Sequence, residues 1–164
     1  MRILIVSDNP GELASLQHSI SHCHLATVLG FEHPAAALDW CTQNEPDLIL
    51  VAHLMRATDG LEFIRRYRAG QMSQDVPVIL MHEAAAAFVR GDALRAGATD
   101  FLTQPVDFPE LVARIVNLLA LRFARLQLRN RHASTQEPGR WKGLSAEVAG
   151  GLPDPGLLRS TALH

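Results

Sequence analysis

The sequence predicts an α/β protein built as a doubly wound parallel sheet. Short runs of apolar residues alternate along the chain with segments whose apolar residues recur at helical spacing, five of each kind. The connections between them are short, as in successive right-handed crossover units. The run at Asp47–Ala52 is apolar at every position after its first residue, which is typical of a strand covered on both faces.

The first predicted strand is Ile3–Val6, a wholly apolar run that ends at a polar pair. A helix follows it. Asn9 is a cap residue, Pro10 suits the first helical position and Glu12 stands three residues beyond the cap, as in a capping box. Apolar residues at helical spacing continue this helix to about His22.

The second strand is predicted at Leu25–Phe31 and the second helix at Pro34–Gln43, opened by its proline. The central strand Asp47–Ala52 comes next. Asp59 and Glu62 have the spacing of a second capping box, which indicates the start of helix three.

The fourth strand is predicted at Val76–Met81, and a helix of small residues at Ala84–Ala96. Gly91 weakens that helix by about 1 kcal/mol relative to alanine. A fifth strand at Thr99–Leu102 leads to a last helix that Asp107 caps.

The last helix is predicted to continue to about His132, roughly 38 Å at 1.5 Å per residue, which is longer than a small sheet requires. We therefore predict three parts: a domain at 1–121, a helical extension for signalling or dimerisation at 122–133, and a tail or linker at 134–164. Val112, Leu119 and Leu126 recur at seven-residue intervals and form a stripe along this helix. We expect this stripe, together with the neighbouring Phe123, to be a surface that binds a partner. The alternative interpretation is that the stripe is ordinary core.

The composition limits the classes of function. The formal net charge of −2 argues against capture of nucleic acid or anionic membrane by a basic surface. The two cysteines, Cys23 and Cys41, with no leader-like segment, predict a cytoplasmic protein with free thiols. Lys142 is the only lysine in the chain.

Four segments in order, ILIVSDNP, PDLILVAHLMRATDG, VPVILMHE and GATDFLTQP, resemble the motifs of the receiver domain of bacterial response regulators. The resemblance covers Met1 to about Leu121. It implies a flavodoxin-like (βα)5 fold with strand order 2-1-3-4-5. It also implies phosphoryl transfer onto an aspartate, in which acidic residues hold Mg²⁺ while a hydroxyl and a lysine bind the phosphoryl oxygens.

The chain departs from that pattern at the residues of the reaction. Ala52 stands at the acceptor position, Ser7 replaces the first of two acidic residues and leaves Asp8, His82 replaces the hydroxyl, and Gln104 replaces the lysine. The resemblance thus implies a degenerate phosphorylation pocket with no catalytic residue and with weak or absent Mg²⁺ binding. Phe101 at the aromatic switch position and a cis bond before Pro105 are expected to be retained.

The principal hypothesis is a pseudo-receiver, not an enzyme, that acts through protein contacts. It would form a homodimer through helix four, strand five and helix five, without binding membrane or nucleic acid. A second hypothesis is a sensor whose emptied pocket binds a small molecule. A third is the regulatory module of a longer cyclic-dinucleotide enzyme or transcription regulator.

A transition-metal site is a further alternative at the same sheet edge. His53, His82, Asp8 and Glu83 follow the strand ends, and imidazole with carboxylate suits such metals. We prefer no metal site, because His53 and Glu83 are expected to point to solvent from loops.

Overall fold

The computed structural model describes residues 1–24, 26–70 and 74–135, without the side chains of residues 87, 88 and 132–135. Strands and helices alternate along this part of the chain. In order they are β1 (Arg2–Val6), α1 (Pro10–His22), β2 (Thr27–Phe31), α2 (Pro34–Gln43), β3 (Leu48–Ala52), α3 (Gly60–Ala69), β4 (Val78–Glu83), α4 (Arg90–Ala96), β5 (Asp100–Gln104) and α5 (Phe108–Thr135). A 3₁₀ helix, Ala84–Val89, precedes α4.

The five strands form one parallel sheet in the order β2-β1-β3-β4-β5. The predicted fold class and strand order are therefore confirmed. Each residue of β3 is buried, because α1 and α5 cover one face of the sheet while α2, α3 and α4 cover the other. Alternate residues of β3 enter the two layers, with Ile49 and Val51 on one side and Leu48, Leu50 and Ala52 on the other.

The observed elements differ from the predicted ones at several ends. β2 begins at Thr27 rather than at Leu25, which lies outside the described residues. β5 runs on to Gln104, because it pairs with β4 as far as Glu83. The segment predicted as one helix at Ala84–Ala96 is divided, since the backbone at Ala86 leaves the helical region at φ −96° and ψ 23°.

The first residue after α4 has a left-handed backbone. Gly97 has φ 102°, a conformation that glycine adopts without steric cost, and its N–H bonds to the Leu94 carbonyl at 3.0 Å. The Arg68 Nε–H donates to the Gly97 carbonyl at 2.9 Å. The end of α4 is thereby fixed against α3.

Helix α5 buries Leu111, Ile115 and Leu119 against the sheet. The prediction that Leu119 belongs to an exposed stripe is wrong: residues four apart share a helix face, so Leu119 follows Leu111 and Ile115 into the core. Val112 and Leu126 are half-buried and Phe123 is exposed.

The compact unit that contains the sheet comprises residues 1–126, and the described residues 127–135 lie outside this unit. Arg122, which the sequence placed in the extension, is 5% exposed and belongs to the compact unit. Its Nη2 donates to Glu45 Oε1 at 2.8 Å, and its Nε lies 3.6 Å from Asp47 Oδ1. The packed part of α5 therefore extends past Leu121. Of the helices in the described ranges, none combines the length and apolar character of a membrane span.

Candidate functional site

A cavity of about 610 Å³ lies at the carboxyl ends of the strands, where ligands bind in open α/β sheets. It is open to solvent and is bounded by the residues that follow β1 and β3 and by the last residues of β4 and β5. Its lining comprises Ser7, Asp8, Asn9, Pro10, Glu12, Ala52, His53, Leu54, Met55, Arg56, Glu83 and Gln104. Four of the five residues predicted for the degenerate pocket are among them.

A carboxylate joins two sides of this cavity. The buried Ser7 hydroxyl donates to Glu12 Oε2 at 2.7 Å, and the Gln104 side-chain amide donates to Glu12 Oε1. Both oxygens of Glu12 are thus engaged, one from the end of β1 and one from the end of β5. The predicted capping-box role of Glu12 is wrong, because the Asn9 N–H bonds to Ser7 Oγ at 3.3 Å instead.

Asp8 faces the loop that follows β3. Its Oδ2 accepts a hydrogen bond from the backbone N–H of Arg56 at 2.7 Å. This bond spans 48 residues of sequence and holds the β3–α3 loop beside β1. Asp8 therefore has a structural bond of its own, in addition to any role in the cavity.

The end of β3 packs closely against the start of α3. The Gly60 N–H donates to the His53 carbonyl at 2.8 Å, and a Cβ on Gly60 would lie 2.3 Å from the Ala52 carbonyl oxygen. His53 is buried, contrary to the expectation that it points to solvent, and its Nε2 lies 3.7 Å from Asp59 Oδ1. Ala52 adds only a methyl group to the cavity wall.

His82 does not line the cavity, which corrects its predicted place in the pocket. Side chains alternate along β4, so His82 lies on the side of Val78 and Leu80, the side that α4 covers. It is fully buried. Its Nε2 accepts from Arg90 Nε at 3.3 Å, and its Nδ1 donates to the Glu83 carbonyl at 2.8 Å.

The lining carries more negative than positive charge. Asp8, Glu12 and Glu83 are acidic, whereas the described lining contains one arginine, Arg56, one histidine, His53, and no lysine. In the described ranges no cluster of three or more histidine, cysteine or acidic side chains is arranged to hold a metal ion. The formal charge of the lining is therefore negative.

Two further residues that the family resemblance singled out are Phe101, which lies on β5, and Pro105, which follows its last residue. Phe101 is half-buried and packs against the core layer that α2, α3 and α4 cover. The Gln104–Pro105 peptide bond is cis.

Sequence reasoning missed Glu12 and Arg122 as contact residues. The helical spacing at Asn9–Glu12 was an adequate local explanation for Glu12, and only the tertiary position of Gln104 reveals its second partner. For Arg122, the available signal was its place one turn after Leu118 on the buried face of α5.

Comparison with known families gives a match over most of the sheet domain. Residues 3–116 match the sequence model of the response regulator receiver domain. The chain is 36% identical over 138 residues to the cyclic di-GMP phosphodiesterase response regulator RpfG of Xanthomonas campestris pv. campestris, covering 84% of this chain and 36% of RpfG. It is 37% identical over 123 residues to the transcriptional regulatory protein PrrA of Mycobacterium tuberculosis, covering 74% of this chain and 51% of PrrA.

A third relative, the response regulator PleD of Caulobacter vibrioides, is 29% identical over 149 residues, or 91% of this chain and 33% of PleD. The chain thus spans between a third and about half of the length of these curated relatives.

Solved structures agree with the sequence match. A putative response regulator from Chloroflexus aurantiacus superposes with a TM-score of 0.69 at 25% identity, covering 73% of this chain and 97% of the other. The receiver domain of a signal transduction histidine kinase from Syntrophus aciditrophicus gives 0.66 at 27% identity, covering 73% and 89%. With the sheet order, the cavity at the strand ends and the match over residues 3–116, the chain belongs to the response regulator receiver domain family, which has a CheY-like, flavodoxin-like fold.

Proposed function

We propose that this receiver domain works in two-component-type signal transduction without accepting a phosphoryl group at Ala52. It acts in the cytoplasm through protein contacts. The observation that carries the proposal is the pair of hydrogen bonds on Glu12. Ser7 and Gln104, which stand where the family has an acidic residue and a lysine, donate to one carboxylate of the chain itself.

The chemistry of phosphoryl transfer supports this proposal. The reaction needs a nucleophile, a metal ion and positive charge beside the transferred oxygens, since most of the catalysis is positioning and charge neutralisation. Ala52 supplies no nucleophile, and Gln104 supplies an amide without charge. The lining around them is acidic.

The donor set does not fit a resident Mg²⁺ ion. Mg²⁺ takes oxygen ligands in near-octahedral geometry, with one or two carboxylates from the protein. Both Glu12 oxygens accept hydrogen bonds, and one oxygen of Asp8 is bonded to the Arg56 N–H. Among the described residues, Asp8 Oδ1 is thus the one oxygen of these two carboxylates that accepts no hydrogen bond.

His82 is a poor substitute acceptor for a phosphoryl group. Imidazole attacks phosphorus through an unprotonated ring nitrogen that the donor can reach. Nε2 of His82 already accepts from Arg90, Nδ1 bonds to the Glu83 carbonyl, and the ring is fully buried. Nucleophilic attack from this position would require α4 to move away first.

Incubation of the full chain with acetyl phosphate and Mg²⁺, followed by intact mass measurement, tests the proposal. We expect no increase of the mass by one phosphoryl group. Beryllofluoride should likewise leave the amide NMR signals around Asp8 and Arg56 unchanged. A stoichiometric phosphoprotein, or saturable shifts of those amides, would contradict the proposal.

A second candidate function is binding of a small molecule in the cavity. Its volume of about 610 Å³ is within the range of ligand sites, and the excess of acidic groups favours an amine over a nucleotide or an acidic metabolite. A thermal-shift comparison of polyamines with nucleotides tests this. Saturable stabilisation by the amines alone would support the candidate, and none by either class would remove it.

A third candidate is that the domain regulates an output domain of the same protein. RpfG is named as a cyclic di-GMP phosphodiesterase response regulator and PrrA as a transcriptional regulatory protein. Each of the two is longer than the region that it shares with this chain. We infer that this chain serves a cyclic-dinucleotide enzyme or a transcription regulator in the same way. The complete reading frame tests this directly: a downstream domain of either class supports it, and a stop codon after His164 contradicts it.

A further inference from the structure

Two exposed histidines, His18 and His22, lie four residues apart in the last turns of α1. Each follows a buried residue, Leu16 or Ile20, by two positions, a rotation of about 200° around the helix. The pair therefore shares one outward face of α1. His22 lies about 18 Å along the helix from Pro10, which lines the cavity, so the pair is separate from the site described above.

The two imidazole rings lie side by side. Their centroids are 4.1 Å apart, and the ring planes are inclined to each other by 51°. Two nitrogen atoms bound to one metal ion at about 2.1 Å lie at most about 4 Å apart. Exposed rings as close as these can bring one nitrogen each to that separation by rotation about their own side-chain bonds. The pair is thus within chelating distance.

A hydrogen bond of His22 prepares its second ring nitrogen to bind a metal. Nδ1 of His22 lies 2.8 Å from the carbonyl oxygen of His18. Because a carbonyl oxygen can only accept, Nδ1 carries the proton and Nε2 keeps its lone pair. Metal-binding histidines usually donate the other ring N–H to a carbonyl or carboxylate in this way, which fixes the ring and raises the basicity of the ligand.

The position at the end of α1 favours a cation. The last carbonyl groups of a helix give its end a partial negative charge, which attracts positive charge within the last turn. His22 is the last residue of α1, and the helix contains no lysine or arginine that would oppose the approach of an ion. The electrostatics and the geometry of the pair therefore point to the same kind of ligand.

We propose that His18 and His22 form a two-ligand site for a divalent transition-metal ion such as Zn²⁺. Two histidines at positions i and i+4 on one helix face are the arrangement by which helical zinc sites supply two ligands, and imidazole suits Zn²⁺, Ni²⁺ and Cu²⁺. In the described part of the chain no group of three histidine, cysteine or acidic side chains forms, so the pair supplies two ligands and water takes the other positions.

The two residues that follow His22 do not share this face. Cys23 lies about 100° further around the helix, and its Sγ donates to the Ser19 carbonyl at 3.7 Å. His24 lies beyond the end of α1 and has a left-handed backbone, with φ 51°. We therefore assign the ligands to His18 and His22, and Cys23→Ser should keep the affinity for the metal.

Calorimetric titration of the full chain with Zn²⁺, prepared without a histidine tag, tests the proposal. His18→Gln and His22→Gln should each raise the Kd at least about tenfold, because the second bond of a chelate forms within one molecule. The matched control exchanges two residues, Ser15→His with His18→Ser. It keeps the composition and places the histidines two turns, or about 10.5 Å, apart, so it should bind as weakly as the single variants.

His33→Gln is the control for an unpaired histidine. His33 is exposed before α2 and makes no capping bond with its side chain, so this change should leave the Kd unchanged. Equal loss of affinity for His33→Gln and His18→Gln would contradict the assignment. So would loss of affinity in Cys23→Ser, or wild-type affinity in the variant that exchanges Ser15 and His18.

Paramagnetic broadening by Cu²⁺ locates the ion without any substitution. Below one equivalent of Cu²⁺, the amide NMR signals of Ser19 and His22 should broaden before those of Asp8 and Arg56 at the cavity. Broadening that begins at the cavity, or no heat of binding with Zn²⁺ up to about 1 mM, would overturn the proposal. None of these results depends on whether the chain accepts a phosphoryl group.

Discussion

Gln104 donates a hydrogen bond to Glu12 across the carboxyl edge of the sheet. Ninety-two residues separate the two in sequence, and the bond joins the end of β5 to the first turn of α1. The same carboxylate accepts from Ser7. Ser7, Glu12 and Gln104 therefore hold one another at the carboxyl edge of the sheet, and their hydrogen bonds stabilise the wall of the cavity.

Restoring the acceptor alone should not restore phosphorylation. We expect Ala52→Asp to stay unlabelled by acetyl phosphate, because Gln104 still lacks the charge that stabilises the transferred group. The triple variant Ser7→Asp, Ala52→Asp, Gln104→Lys should be labelled at least about 100-fold faster, as expected when a charged donor is regained. Intact mass against time measures both rates.

A matched control separates the acceptor from the surrounding charges. The triple variant with Ala52→Asn in place of Ala52→Asp keeps the other two changes and lacks the nucleophile, so it should gain no mass. Labelling of the single Ala52→Asp variant at the rate of the triple would show that Ser7 and Gln104 do not limit the reaction.

The fold was predictable because each buried strand is apolar at nearly every position. β3 follows that pattern from Leu48 to Ala52, and no competing helical periodicity is present. The segment after β4 was not predictable in detail. A run of alanines has strong helix propensity but no side chain that fixes the helix type, and the segment forms a 3₁₀ helix with a kink at Ala86.

The candidate site was predictable as a set of positions and not as a set of contacts. Family motifs place Ser7, Ala52 and Gln104 at the strand ends, and the cavity contains them. The side chain of His82 points to the α4 side of the sheet because side chains alternate along β4, and motif matching does not consider this alternation. The bond between Glu12 and Gln104 needs the sheet to close, so local sequence carries no signal of it.

Arg122 should contribute to stability through its contacts with Glu45 and Asp47, just before the start of β3. We expect Arg122→Ala to lower the free energy of unfolding by about 2 kcal/mol, since it removes the packing of a buried side chain, takes the ion-pair partner from Glu45 and leaves Asp47 with its bond to the Arg2 N–H. Glu45 and Asp47 remain partly in water, which limits the loss. Urea denaturation measures the effect.

Arg125→Ala is the control for this prediction, because Arg125 is exposed on the same helix. It should change the free energy of unfolding by less than about 0.5 kcal/mol. Equal losses for the two variants would show that the contacts of Arg122 add nothing beyond helix propensity.

Gly60 should tolerate no side chain. A Cβ there would lie 2.3 Å from the Ala52 carbonyl oxygen and 3.0 Å from His53 Cα, both backbone atoms that cannot rotate away. We expect Gly60→Ala to destabilise the domain by about 3 kcal/mol. Gly91→Ala, whose Cβ would meet Arg95 Nη1 among the described side chains at an ordinary contact distance of 3.7 Å, should stabilise it by about 0.5 kcal/mol through helix propensity. Thermal unfolding of both variants checks the two signs, and a neutral Gly60→Ala would contradict the close packing of β3 against α3.

Burial should make the Cys41 thiol unreactive in the folded protein. Burial disfavours the thiolate and raises the pKa of Cys41 from 9.0 to about 11. Because the thiolate is the nucleophile, at pH 8 the reactive fraction should fall about 100-fold relative to an unshifted thiol, a tenfold loss for each unit by which the pKa is raised.

The Cys23→Ser variant, with Cys41 as its remaining cysteine, isolates this thiol for alkylation by iodoacetamide. Its rate at pH 8 should rise at least about 100-fold in denaturing urea, and the rate in the folded state should grow tenfold for each pH unit up to about pH 11, as far as the fold persists. A folded-state rate at pH 8 close to that in urea would show that Cys41 is reached by water and reagent despite its place against the core layer of α2 and α3.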